Sequence, residues 1–143
     1  MLETDIHKQT ERWVQQQISQ RWECRVYELP KFYRLDWQIM RDGETIGFGE
    51  FKGRSYSYAQ LEEMGGFMLS LSKFLQICTT SEHTGLPVFL FTKLGQLILS
   101  YEHLSGKNKY LKVSRFFKSN RKRSEDIEPA VVIPMDRFKP VNK

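Results

Sequence analysis

No apolar run in this 143-residue chain approaches the roughly 20 residues that a membrane-spanning helix needs. The opening stretch, MLETDIHKQ, does not read as a secretion signal. Cysteine is scarce: Cys24 and Cys78 have neither metal-ligand spacing nor the density of a disulfide framework. These absences argue against a membrane protein and a disulfide-stapled secreted domain, so a reducing cytoplasm is expected. No internal repeat or low-complexity tract interrupts the chain. The composition, 40% apolar and 27% charged, is that of an ordinary globular protein. The expectation is a single domain over residues 1–143 with a proper core.

One absence is local. From Lys107 to Arg123 the sequence KNKYLKVSRFFKSNRKR contains no acid. It carries eight basic residues: Lys107, Lys109, Lys112, Arg115, Lys118, Arg121, Lys122 and Arg123. Against a net charge of +5, that leaves the rest of the chain at −3. The basicity is therefore concentrated, which says more than the total. Tyr110, Phe116 and Phe117 interleave with it. Such a mixture suits contact with a phosphate backbone plus base stacking. The bland alternative is a solvated excursion between strands, anchored by its aromatics.

What is present is organised around Leu35–Lys52, LDWQIMRDGETIGFGEFK. Leu35, Trp37 and Ile39 alternate with Asp36, Gln38 and Met40, the period of a strand. Asp42-Gly43 supplies a turn, and a second strand returns through Ile46, Phe48, Glu50 and Lys52. Glu50 and Lys52 are two apart and share a face. A three-residue loop over 42–44 sets Asp36 opposite Glu50. A two-residue loop shifts the pairing by one and sends the two acids to opposite faces. In the first register two carboxylates about 4 Å apart would repel by roughly 4 kcal/mol at an effective dielectric of 20. A hard divalent cation offsets that, typically Mg²⁺ held by one or two carboxylates and a substrate phosphate. Gly47 and Gly49 keep the other face thin, which suits close approach of another chain or ligand.

The rest of the chain reads as α/β. Glu3–Trp22 is a helix capped by Thr4 or Asp5, with Ile6, Thr10, Trp13, Val14 and Ile18 as its apolar stripe. Glu11 sits beside that stripe, as a surface acid or as part of a site. Trp22–Leu29 reads as a strand ended by Pro30. After Lys52, Gly65-Gly66 argues against one long helix. A loop or short helix through Tyr58–Met64 precedes a second helix, which starts after Ser70 and ends before Gly85. That helix is expected to bury Leu71, Phe74, Leu75 and Cys78. Lys73, near its start, is either a phosphate contact or a solvated lysine. Pro87–Thr92 has the apolar run of a buried strand, implying a parallel crossover from the hairpin. Gln96–Tyr101 alternates as its neighbour, after a turn at Gly95, and Val131–Ile133 gives a final strand. The architecture expected is a mixed central sheet flanked by helices.

Asp36 followed by Glu50-Phe51-Lys52 resembles the core motif of the PD-(D/E)XK nucleases, the restriction-endonuclease-like superfamily. Leu35 stands where the motif's name has Pro, a loosely held position. The spacing from Glu11 through Asp36 to Glu50 resembles archaeal Holliday junction resolvases. The order EFK, Gly-broken segment, SLSK and PVFLF resembles small phage-type members. The resemblance implies a restriction-endonuclease-like core and a metal-dependent DNA endonuclease using Mg²⁺ or Mn²⁺. It implies Asp36, Glu50 and the Phe51 carbonyl as metal ligands, Lys52 as the catalytic lysine, and Glu11 reaching the metal through water. A prokaryotic or phage-infected cytoplasm is the implied setting, with no membrane partner. A junction resolvase or a homing-type endonuclease is an alternative within the same class, and either would be a homodimer or higher homo-oligomer. A DNA-binding module without catalysis and a bland partner-binding domain remain the readings outside it.

Overall fold

The computed structural model describes residues 3–107, 111–117 and 127–143. Helix α1 (Glu3–Trp22) leads into β1 (Arg25–Glu28), β2 (Trp37–Arg41) and β3 (Glu44–Phe51). A short helix α2 (Tyr58–Glu63), strand β4 (Phe67–Ser70) and helix α3 (Leu71–Thr84) follow. Strands β5 (Val88–Leu94), β6 (Leu97–His103), β7 (Lys112–Phe117), β8 (Ile127–Ile133) and β9 (Lys139–Pro140) complete the chain.

Six strands form a mixed sheet in the order β1-β2-β3-β5-β6-β9. Only β3 and β5 run parallel, so the crossover expected from the hairpin is present. Its two faces carry separate cores. Val14 and Ile18 of α1 pack with Trp37, Ile39, Phe51, Phe91 and Ile98. On the other side Ile77 of α3 joins Val88, Leu90, Leu99 and Tyr101, together with Phe67, Leu69, Val131 and Ile133. Those last four belong to a second, three-stranded sheet, β4-β8-β7. The α/β fold with a mixed sheet and helices on both faces is a restriction-endonuclease-like core.

The sequence-based expectations hold for most elements and fail at particular ones. Thr4 and Asp5 lie within the first turn of α1 rather than capping it, because the helix is already formed at Glu3. The outer end of its stripe is unburied: Ile6 is 52% exposed, since the sheet reaches only as far as Val14 and Ile18. Trp22 ends α1 instead of opening β1, and its ring packs edge-on against Phe89 with centroids 4.8 Å apart. On α3 the buried residues are Ile77 and Ser81, while Leu75 is 53% exposed. Leu71 and Phe74 pack partly buried against the core as expected and Cys78 is half-buried, so the inward face is centred on Ile77 and only Leu75 turns outward. The short helix α2 falls where expected, with a Ser57–Gln60 capping box.

Strand β4 and the second sheet were not foreseen. Four residues, FMLS, form β4, and Ser70 is both its last residue and the cap of α3, accepting from the Lys73 N–H at 3.2 Å. Residues 112–117 are not an irregular excursion either. They form β7, antiparallel to β8.

Gly66 makes the β4–β8 approach possible. Its φ of +140° suits glycine alone, and an added Cβ would lie 2.4 Å from the Ile133 carbonyl oxygen. Gly66→Ala is therefore expected to cost at least about 3 kcal/mol in denaturant unfolding. Gly53→Ala, facing only the edge of Phe51 at 3.9 Å, should be near neutral. Equal losses in the two variants would show that the backbone approach is not the constraint.

Candidate active site

The two ends of the hairpin disagree in register, and the site depends on that disagreement. The turn at Asp42-Gly43 has two residues, both with positive φ (53° and 79°), as a type I′ turn requires. It pairs Arg41 with Glu44 and Met40 with Thr45. Carried on unchanged, this register would separate the two acids. The pairing instead slips between Ile39 and Met40, so that Ile39 faces Gly47, Gln38 faces Phe48 and Trp37 faces Gly49. Ile46 is the extra residue of a β-bulge. Beyond it the strands are in the register that sets Asp36 against Glu50. Gly47, next to the bulge, admits the parallel neighbour: a Cβ there would meet the Pro87 carbonyl oxygen at 2.8 Å.

Asp36 lies just before β2. Its carbonyl accepts from the Leu29 N–H at 2.8 Å, and its carboxylate Oδ2 accepts from the Phe51 N–H, also at 2.8 Å. The side chain is thereby fixed across the hairpin onto the residue following Glu50. Trp37 and Phe51 stack behind it, centroids 6.0 Å apart. Glu50 is buried, 2% exposed, and points to the α3 face. Its Oε2 lies 3.5 Å from the Lys52 ammonium and 3.5 Å from that of Lys73. Its Oε1 is buried with no hydrogen-bond partner. Burial first, and Asp36 second, push the Glu50 carboxyl above the usual range, against the pull of the two lysines. Lys52 remains partly open to solvent.

Lys73 is thus neither solvated nor free. It projects from the first turn of α3, binds Glu50, and donates to the Arg34 carbonyl. Glu11, half-buried on α1, comes to the same region from the other side. It lines a cleft of about 380 Å³ with Asp36 and Glu28, and its carboxyl is raised by burial and by the charge of Asp36. Among the described residues no group of three or more His, Cys, Asp and Glu side chains converges as a ligand cluster. The donor set is therefore two carboxylates, with the Phe51 carbonyl on the same strand end. Hard oxygen donors, one of them a buried carboxylate oxygen lacking a partner, fit a hard divalent cation.

Of the basic run, Lys107 is described and exposed. Lys112 and Arg115 lie in the backbone of β7, opposite Val132 and Pro129 of β8. Lys109, Lys118, Arg121, Lys122 and Arg123 lie outside the described residues. Sequence reasoning passed over Lys31, Phe32, Tyr33 and Arg34, which immediately precede Leu35 and Asp36. The signal was available as two aromatics between two cations.

Fold and site together define the PD-(D/E)XK class, with the acid pair and lysine at the end of a hairpin in a mixed sheet. The family model described as "Phage putative PDDEXK endonuclease" matches residues 1–141, and the chain belongs to that family. No curated protein and no solved structure gives a significant match. No helix among the described residues is long and apolar enough to cross a membrane.

Burial of Glu50 has a measurable sign. A carboxyl whose native pKa is raised above its unfolded value binds its proton more tightly when folded. The stability it contributes is present below the unfolded value and is lost as pH rises through the native one. In metal-free buffer, Glu50→Gln should therefore raise the melting temperature at pH 7–8, and the gain should shrink toward pH 4. A variant less stable than the parent at pH 8 would mean that the two lysines more than offset the burial of the charge.

Proposed function

We propose that this protein is a Mg²⁺-dependent endonuclease that hydrolyses phosphodiester bonds in DNA. The observation that carries the reading is the buried, unpartnered Glu50 Oε1 beside Asp36, with Lys52 reaching solvent from the same strand end. Both lysines reach Oε2, so a buried carboxylate oxygen, Oε1, is left without a partner, and that is costly unless a cation or donor is added. Asp36, Glu50 and the Phe51 carbonyl would hold Mg²⁺ or Mn²⁺, and Glu11 would reach it through water. When bound, the metal would acidify a water and stabilise negative charge on the phosphate.

The chain's own groups divide the remaining work. Asp36 is oriented by the Phe51 N–H, so one face of its carboxylate is fixed before anything binds. Lys52 orients the attacking water or stabilises charge developing on the phosphoryl oxygens. Lys73 neutralises part of Glu50 and holds it against the sheet. The basic run from Lys107 to Arg123 would follow the phosphate backbone. Cutting both strands of a duplex needs two sites, which a homodimer or higher homo-oligomer would supply. The setting would be the cytoplasm of a phage-infected cell.

Asp36→Asn and Glu50→Gln should abolish plasmid cleavage while preserving the fold, and EDTA should do the same to the parent. Lys52→Ala should slow cleavage on the order of 10²-fold or more. Undiminished cleavage by Asp36→Asn, or in EDTA, would exclude this mechanism and leave a DNA-binding module.

The basic run is tested by salt. With Glu50→Gln protein on duplex DNA, log affinity should fall with log salt by about 0.9 per phosphate contacted. Replacing Arg121, Lys122 and Arg123 with alanine should make that slope shallower by up to about 3. An unchanged slope would remove these three from the DNA path.

A further inference from the structure

The loop between β1 and Asp36 exposes what a globular surface ordinarily covers. Phe32 is 84% exposed and Tyr33 56%. Their rings stack on each other, with centroids 5.2 Å apart and an interplanar angle of 30°. The loop does not leave them free to turn inward. Its base is closed by the Leu29 N–H to Asp36 carbonyl bond, its first turn by the Tyr33 N–H to the Pro30 carbonyl at 2.9 Å, and its end by Lys73 on the Arg34 carbonyl. The flanking residues, Lys31 and Arg34, are exposed and basic.

Position gives this pair a use. Tyr33 forms part of the cleft that contains Asp36. It also walls an apolar hollow of about 550 Å³, floored by Leu29, Leu35 and Phe48 and bounded by His83 of α3. The two concavities share Leu29, Tyr33 and Leu35, so they adjoin at Tyr33. A strand whose phosphate sits at Asp36 has its neighbouring nucleotide beside the aromatic pair. Stacked rings between two cations match the faces and charges of an unpaired nucleotide. A paired base cannot use them, because its faces are already occupied within the duplex.

We propose that Phe32 and Tyr33 are a stacking platform for an unpaired base flanking the scissile phosphate, and that the preferred substrate is DNA carrying unpaired nucleotides at the cleavage site. This rests on the endonuclease reading above. It adds to it the structural class of the DNA.

The test uses full-length Glu50→Gln protein, which retains DNA without cutting it. Its ligands are a duplex and the same duplex with a short single-stranded gap carrying 2-aminopurine. Binding of the gapped DNA should be the tighter and should quench the 2-aminopurine. Adding Phe32→Ala should abolish the quenching and weaken gapped-DNA binding by about 5- to 150-fold, the range for loss of one stacked base. Duplex affinity and melting temperature should not change. Phe32→Trp should restore both signals. If Phe32→Ala leaves quenching and gapped-DNA affinity intact while the parent cleaves DNA with Mg²⁺, this inference alone fails, and the aromatic pair is free to serve a protein partner. Equal weakening on duplex and gapped DNA also overturns it. If the parent cleaves no DNA and the variant binds none, the endonuclease reading fails and this inference with it.

Discussion

A single extra residue, Ile46, decides whether Asp36 and Glu50 come to the same face of the hairpin. The tight Asp42-Gly43 turn is the one that matches the twist of the flanking strands. By itself it imposes the pairing that points Asp36 and Glu50 apart. The bulge corrects the register after two residue pairs, at the cost of one unpaired position in the ladder. Everything chemical lies beyond that correction. The Asp36 contact with the Phe51 N–H, the shared field of the two carboxylates and the open position of Lys52 all require the shifted pairing.

The second constraint is charge. Glu50 is buried at the junction of β3 with the parallel strand β5, where its neighbour is Leu90. A carboxylate there loses most of its hydration, and the neighbouring Asp36 adds repulsion. Two ammonium groups at 3.5 Å reduce the cost without removing it, since the net effect still favours the protonated acid. Both lysines reach the same oxygen, Oε2, and leave Oε1 without a partner. The protein therefore holds an acid in a place that its own groups do not fully satisfy. Such residual frustration is expected at functional sites.

The hairpin was legible because its signals are local: alternation, Asp-Gly, and the two-position step from Glu50 to Lys52. The bulge was not, because its cause is tertiary. Gly47 marks it in the sequence, but only the Pro87 carbonyl, just before β5, shows why no side chain fits there. Strand β4 was missed for a related reason. Four residues carry little periodicity, and the partner that makes FMLS a strand is β8, far along the chain. Lys73 could be placed near a helix start from sequence. That it faces Glu50 depends on how α3 packs on the sheet, with Ile77 and Ser81 innermost. The fold class and the acid–lysine trio were thus readable, while the residues completing the site were set by long-range packing.

Lys73 makes the loop and the acid parts of one equilibrium. The same ammonium binds Glu50 and the Arg34 carbonyl, one residue from Tyr33 and two before Asp36. A change in the charge carried at Glu50 alters the field that holds this ammonium, and therefore the hold on Arg34. Linkage requires the converse: whatever displaces the loop changes the free energy of the charged carboxylate by the same amount. The aromatic pair and the carboxylate pair are thus not independent features that happen to adjoin. They meet at a lysine whose ammonium contacts both Glu50 and the Arg34 carbonyl.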